Sequence, residues 1–214
     1  ASTKAFLTQI TATYLVGLFL AQVRGAMFED EIRSILTDLG DMPRQVDLVL
    51  DTAEPVRELA RSLSSAKLVL FLGRHVGYPV ALEGALKLKE LAYMHAEGFP
   101  AGELKHGPIA LIEEGTPVIV IVPSPQGRAL LHDKIVSNVQ EVRARGAQVI
   151  AIAEEGDESI VPFADHVIRI PAVPTLMQPL VAVVPLQIFA IEMATEKGYD
   201  VDQPRNLAKS VTVE

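Results

Sequence analysis

The fold of this chain is decided by residues 68–108, which read LVLFLGRHVGYPVALEGALKLKELAYMHAEGFPAGELKHGP. The opening run Leu68–Leu72 has no polar position, which is typical of a strand buried on both faces of a parallel sheet. Leu, Ala and Met residues then recur at helical spacing and predict a helix over Tyr78–Ala96. Residues 98–108 are rich in glycine and proline and are predicted to form a loop. The stretch therefore predicts a strand and a helix followed by a loop.

The same alternation continues along the chain. Short apolar runs predict further strands, and longer helical patterns fill the intervals between them. The strands are predicted at Val118–Val122, Val149–Ala153 and Val167–Ile170, and the helices at Gln126–Arg145 and Leu176–Lys197, with a kink or late start at Pro185. Alternating strands and helices predict an α/β domain in which helices cover both faces of a parallel sheet.

The region before Lys67 is predicted to be entirely helical. The predicted helices cover Ser2–Val23, then Glu29–Leu39 with Gly40 as its end, and then Pro43–Ser64 with a division near Pro55. The longest apolar run of the first helix, Tyr14–Ala21, is shorter than the roughly 20 residues that a membrane span needs. We therefore interpret this helix as buried in the protein. Because the chain starts without methionine and within a helical pattern, we expect it to be the C-terminal part of a longer protein.

Composition narrows the classes of function. The 214 residues carry a net charge of −8 and are 49% hydrophobic, so we predict a compact protein that binds neither nucleic acid nor a membrane. The chain contains no cysteine, which excludes thiolate metal sites and cysteine nucleophiles and fits a reducing, cytoplasmic location. His95, His132 and His166 have no companions at metal-binding spacing, and we predict no metal site and no chemistry for them.

A stripe of charged residues interrupts the apolar helix. Glu83, Lys87 and Glu90 are three or four residues apart and therefore fall on one face. One interpretation is a solvated surface ion pair, which contributes about 0.3–0.5 kcal/mol. The other is an active-site wall beside the crevice at the carboxyl ends of the strands, where ligands bind in open α/β sheets. His106, in the following loop, is either an exposed structural residue or a group that exchanges protons.

Several short motifs carry a specific resemblance to a known family. LEGALKLKE, HAE, AGELKHGP, the opening ASTKAF and the closing DQPRNLAKSVTVE resemble the C-terminal isomerase region of the glucosamine-6-phosphate synthase family, over essentially the whole chain. The resemblance implies flavodoxin-like, three-layer α/β/α sugar-isomerase (SIS) subdomains. Residues 1–42 would be the helical C-terminal remnant of a first SIS subdomain, residues 43–196 the second SIS subdomain with its leading helices, and residues 197–214 a tail that completes the active site.

The resemblance also implies roles for individual residues. Glu90 is similar to the base that moves a proton between C1 and C2 of the open-chain sugar, and Lys87 is similar to its charged neighbour in the site. His106 resembles a residue that assists ring opening from the partner subunit. Lys209 resembles the lysine that forms a Schiff base with the C2 carbonyl of fructose 6-phosphate, next to Ala208, which would also bind substrate. We expect desolvation or a nearby cation to lower the pKa of Lys209, because only the neutral amine attacks.

The resemblance implies three kinds of partner. They are the sugar phosphates fructose 6-phosphate and glucosamine 6-phosphate, a second copy of the chain in a homodimer, and a glutaminase domain that supplies ammonia. No cofactor is implied, because a carboxylate and an amine suffice for this isomerisation. The family's Ser/Thr-rich phosphate loop has no counterpart here, so we expect the chain alone to be inactive or impaired. The alternatives are a non-catalytic SIS module that binds a sugar phosphate and a fragment that dimerises but binds nothing.

Overall fold

The computed structural model describes residues 2–126 and 129–207, and within them five strands form one parallel sheet. The strands are β1 Leu68–Gly73, β2 His95–Pro100, β3 Pro117–Ile121, β4 Gln148–Glu154 and β5 His166–Ile170. Their order across the sheet is β2-β1-β3-β4-β5, and every neighbouring pair is parallel. This is the flavodoxin-like order, and it confirms the predicted α/β class.

Helices lie before, between and after these strands. They are α1 Thr3–Val23, α2 Glu29–Leu50, α3 Ala53–Ser62, α4 Gly77–Ala92, α5 Ala129–Arg143 and α6 Gln178–Glu196, together with short 3-10 helices at Ala101–His106, Pro108–Leu111 and Val161–Phe163. From β1 onward the order of strands and helices follows the predicted alternation except for β2, which was not predicted. α6 begins at Gln178, so the predicted late start at Pro185 is wrong, and Pro185 lies inside the helix.

Alternation along the strands divides the hydrophobic core into two layers. In β1, Val69 and Phe71 belong to a cluster with α2, α3, α4 and α6, whereas Leu70 and Leu72 belong to a second cluster with α5. Successive side chains of a strand point to opposite faces of the sheet. Because helices cover both faces, every position of a central strand has to be apolar, which explains the uninterrupted runs in the sequence.

The helices before the sheet differ from the prediction in their boundaries. α2 continues through Gly40 and Pro43, so the predicted helix end at Gly40 is wrong. Gly40 does not have the positive φ of a left-handed helix end, and a Cβ atom added to it would have no neighbouring atom within 4 Å. The chain divides at Asp51 and Thr52 rather than near Pro55, which lies in the first turn of α3, where a missing backbone N–H is tolerated.

α1 is not the buried helix that we predict from its apolar run. Leu18 is its one buried residue, and Val16, Phe19 and Val23 are each more than half exposed. By length and composition α1 and α6 could each cross a membrane, but core helices share this property, and 78% of the apolar window of α6 is buried in the protein. α1 therefore leaves an apolar face uncovered in this chain, and the absence of a membrane partner stays a prediction.

The loop predicted over residues 98–108 begins as a strand. α4 ends at Ala92, before the predicted helix end at Ala96, and β2 then forms an edge of the sheet that pairs with β1. An edge strand tolerates glycine and proline, because one side of its backbone needs no partner strand. The sequence HAEGFP of β2 therefore lacks the apolar run that identifies the central strands.

Candidate active site

α4 carries the charged stripe back across the sheet. Because β1 and β2 are parallel, α4 has to return from the carboxyl edge of the sheet to its amino edge, and its 16 residues span about 24 Å. Lys87 and Glu90 lie in its last turns, near the start of β2. The prediction that the stripe borders the crevice at the carboxyl ends of the strands is therefore wrong, since the stripe runs from the middle of α4 toward the amino ends of the strands.

Close packing explains why a lysine on α4 is buried. A Cβ atom added at Gly84 would lie 2.7 Å from the side chain of Leu186 and 3.0 Å from that of Phe71, so α4 approaches both α6 and β1 closely at this position. Lys87 lies one turn later on the same side of the helix. Its relative exposure is 2%.

Lys87 forms the centre of a buried ion-pair cluster with Glu83 and Glu90. Its Nζ atom lies 3.5 Å from a carboxylate oxygen of Glu83 and donates a hydrogen bond to Glu90. The side chains are 3% exposed for Lys87, 12% for Glu83 and 21% for Glu90. The interpretation of the stripe as a solvated surface pair is therefore wrong. Glu90 is the most exposed member of the cluster.

Glu90 lines a pocket of about 490 Å³ at the end of the sheet where the strands begin. The walls come from the end of α4, the start of β2 and the middle of the C-terminal tail, namely Lys89, Glu90, Tyr93, Met94, His95, Arg205, Asn206 and Leu207. A pocket of this volume can hold a small organic ligand. The carboxylate of Glu90, whose orientation is fixed by the Lys87 ammonium, can exchange a proton with a ligand bound there.

The C-terminal tail reaches this pocket through Tyr93. The Tyr93 hydroxyl accepts a hydrogen bond of 2.7 Å from the backbone N–H of Arg205, and the Arg205 guanidinium carbon lies 4.0 Å from the centre of the Tyr93 ring. Tyr199 packs edge-to-face on the same ring, with centroids 4.8 Å apart. The predicted site residues Ala208 and Lys209 follow directly after this segment and lie outside the described residues.

His106 does not line this pocket in its own chain. It ends the 3-10 helix Ala101–His106, its side chain is 74% exposed, and its Nε2 atom lies 3.9 Å from a carboxylate oxygen of Glu103. Leu104 in the same turn is fully buried and anchors the turn to the core. The structure thus brings together Lys87 and Glu90 but leaves His106 apart from them.

A second group of buried polar residues, beyond the carboxyl ends of β3 and β4, was not predicted. Ser124 donates a hydrogen bond of 3.0 Å to Glu154, and His132 lies 2.8 Å from Asp157. Burial raises the pKa of the Glu154 carboxyl. Burial acts in the same direction on Asp157, but hydrogen bonds from Ser159 and His132 outweigh it and lower the pKa of that carboxyl. No sequence spacing identifies such a cluster, because its members come from separate loops and helices.

This second cluster does not have the geometry of a nucleophilic triad. The same ring nitrogen of His132, Nε2, faces both Asp157 at 2.8 Å and Ser159 at 3.3 Å, whereas a triad uses one nitrogen for each contact. The Ser159 hydroxyl donates to Asp157 at 2.6 Å instead. We interpret the cluster as structural, joining the loop after β4 to α5. Within residues 2–126 and 129–207, no group of three His, Asp or Glu side chains is placed to hold a metal ion.

Comparison with known proteins gives a consistent set of relatives. A family model described as "SIS domain" matches residues 62–197. Over all 214 residues the chain is 72% identical to the glutamine–fructose-6-phosphate aminotransferase (isomerizing) of Streptomyces coelicolor and 70% identical to the protein of the same name from Corynebacterium efficiens. It covers 35% and 34% of these proteins, so it spans about a third of the length of its curated relatives.

A solved structure shows the same architecture. The C-terminal domain of glucosamine-fructose-6-phosphate aminotransferase from Francisella tularensis superposes with a TM-score of 0.90 and is 37% identical in sequence. The match covers 95% of this chain and 56% of that one.

Proposed function

This chain belongs to the SIS domain family, and we propose that it forms part of the isomerase domain of an enzyme that converts fructose 6-phosphate and ammonia into glucosamine 6-phosphate. The relatives that are 64–72% identical to it are named for a glutamine-dependent aminotransferase of this kind. Because the chain spans about a third of them, the complete activity belongs to the longer protein. The remaining part of that protein would supply ammonia from glutamine and the loop that binds the sugar phosphate.

The buried ion-pair cluster is the observation that carries this proposal. Converting a ketose imine into an amino aldose moves one proton between adjacent carbons, and a single carboxylate within reach of both carbons can do this. Glu90 is the member of the cluster that opens into the pocket, and its hydrogen bond to the buried Lys87 fixes its position. In this proposal Glu90 removes a proton from C1 of the substrate and returns one to C2.

The position of the tail supports a role for Lys209. Arg205 and Leu207 lie on the pocket wall, and Lys209 follows two residues later. Its neutral amine adds to the C2 carbonyl of the open-chain sugar and expels water, which forms an imine. Ammonia then displaces the lysine from C2, and the proton transfer through Glu90 gives the product. Ala208 would contact the substrate beside this lysine.

We propose that His106 and the first helices act between two copies of the chain or between domains. His106 is exposed and does not line the pocket of its own chain, which is consistent with a role in the partner's site of a cytoplasmic homodimer. The proposed division into residues 1–42, 43–196 and 197–214 places the first boundary inside α2, so this helix would join the two SIS subdomains.

Borohydride reduction of the full-length enzyme in the presence of fructose 6-phosphate tests the proposal. Reduction converts an imine into a stable secondary amine, so peptide mapping identifies the lysine that carries the sugar. We expect the label on Lys209 and no label in Lys209→Ala. Labelling of another lysine, or undiminished labelling of Lys209→Ala, would reject the assigned role. Binding of fructose 6-phosphate without any reducible adduct would instead favour a non-catalytic sugar-phosphate module.

A further inference from the structure

The backbone at the end of α4 places a tyrosine where glycine is the usual residue. Tyr93 ends the helix in the left-handed conformation, with φ 52° and ψ 34°. A residue with a Cβ atom is disfavoured there, whereas glycine adopts this conformation freely. The helix end alone therefore does not account for a tyrosine, and an unfavourable backbone conformation retained at the edge of a pocket points to a role for its side chain.

The contacts of Tyr93 come from two separate points of the tail. Tyr199 packs against its ring, and Arg205 contacts it twice, through the guanidinium over the ring face and through the backbone N–H on the hydroxyl. The hydrogen bond fixes the main chain of the tail itself, and the cation–π contact fixes the side chain of the same residue. Tyr93 therefore holds the tail at Arg205, the first tail residue on the pocket wall.

This anchor shortens the length of chain that tethers Lys209 to a fixed point of the structure. α6 ends at Glu196, and without an anchor Lys209 would be tethered through about twelve residues from Lys197. With Arg205 fixed, Lys209 is tethered through only four residues from Arg205. The effective concentration of a tethered group falls roughly as the −3/2 power of tether length, so shortening the tether threefold raises it by about fivefold.

We propose that Tyr93 is a positioning residue, which docks the C-terminal tail so that the Lys209 amine reaches the substrate beside Glu90. This inference rests on the proposed function, because it assumes that Lys209 forms the imine. Tyr93 itself acts through the tail and makes no bond to the reacting atoms. Its ring and its hydroxyl contribute separately, since the ring holds Tyr199 and the Arg205 guanidinium while the hydroxyl holds the backbone of Arg205.

Four variants of the full-length enzyme separate this role from a general effect on folding. Tyr93→Phe keeps the ring and removes the hydroxyl, whereas Tyr93→Ala removes both. Tyr93→Gly also removes both, but it relieves the left-handed backbone and should unfold at a higher temperature than Tyr93→Ala. Tyr78→Ala is the matched control, because Tyr78 lies at the other end of α4 and, within the described residues, makes no hydrogen bond or ring contact with the tail.

Two measurements read out the position of the tail. The first is the rate of borohydride trapping of Lys209 at saturating fructose 6-phosphate, and the second is the rate of tryptic cleavage after Arg205 in the absence of sugar. We expect Tyr93→Ala and Tyr93→Gly to be trapped about fivefold more slowly than the wild type and to be cleaved faster. Tyr93→Phe should be intermediate in both measurements, and Tyr78→Ala should match the wild type.

The outcomes distinguish this inference from the proposed function. Wild-type trapping on Lys209 with unchanged trapping in Tyr93→Ala would overturn the positioning role alone. The positioning role would also be overturned if Tyr93→Gly both unfolds at a higher temperature than Tyr93→Ala and is trapped correspondingly faster, because the slow trapping of Tyr93→Ala would then result from its lower stability. No trapping on Lys209 in the wild type would overturn the proposed function, and with it the role of Tyr93 in the reaction.

Discussion

A buried lysine between two carboxylates is the feature of the candidate site that depends most on its surroundings. The sequence places Glu83, Lys87 and Glu90 on one helix face, but it does not show whether that face is exposed to solvent or buried in the protein. The burial of Lys87 follows from the close approach of α4 to α6 and β1 at Gly84. A buried charge is costly unless its partners remain in place. Removing one member of the cluster should therefore destabilise the charges that remain.

Replacing Lys87 by alanine should destabilise the protein strongly. The change leaves the carboxylates of Glu83 and Glu90 close together and largely buried without their shared cation, and we expect a loss of about 3 kcal/mol in the free energy of unfolding. Urea unfolding of the 214-residue chain measures this change. Lys89→Ala is the control, since the exposed Lys89 is two residues away and its removal should change the free energy of unfolding by less than about 0.5 kcal/mol. Equal effects of the two substitutions would contradict a buried cluster.

At the scale of single elements, glycine is required by the local structure at one position and not at another. Glycine suggested a helix end at position 40, but Gly40 lies in the interior of α2 with no neighbouring side chain where its Cβ would be. At Gly73, the last residue of β1, an added Cβ would lie 2.2 Å from the carbonyl oxygen of Gly77. The second glycine is required by the close turn between β1 and α4, whereas the first is not required by its local structure.

These two glycines should therefore respond differently to alanine. Gly40→Ala should raise the free energy of unfolding by about 0.5–1 kcal/mol, because alanine loses less conformational entropy in a helix interior. Gly73→Ala should lower it, because the turn that leads into α4 would have to open. Thermal unfolding of both variants beside the wild type measures the two effects. A destabilised Gly40→Ala chain would indicate that this face of α2 is covered by a partner.

At the scale of the whole molecule, the sequence predicts what depends on local pattern and misses what depends on topology. The central strands were predicted because two helix layers demand apolar side chains at every position. β2 was missed because its sequence HAEGFP contains no apolar run, whereas β5, at the other edge of the sheet, was predicted from its valine and isoleucine residues. The candidate site residues come from the resemblance and stay a prediction. The location of the pocket at the amino ends of the strands depends on the return of α4, which follows from the parallel pairing of β1 with β2.

Long-range contacts were also beyond the reach of the sequence. The hydrogen bond between Tyr93 and Arg205 joins residues 112 positions apart, and nothing in either segment indicates the other. The exposure of α1 has the same origin, because an apolar helix is buried or exposed according to what packs on it. The role of the tail in completing the site stays a prediction of the resemblance, and the structure shows that Tyr93 holds Arg205 of the tail beside the pocket.

The proton transfer assigned to Glu90 is the central claim for the complete enzyme. The direct measurement is kcat for glucosamine 6-phosphate formation by Glu90→Gln and Glu83→Gln, because both substitutions remove one carboxylate from Lys87 but only Glu90 lines the pocket. We predict that Glu90→Gln lowers kcat by about 10²–10⁴-fold, as expected for loss of a general base, while borohydride still traps the sugar on Lys209, and that Glu83→Gln has a much smaller effect. A Glu90→Gln enzyme no slower than the Glu83→Gln enzyme would contradict the account.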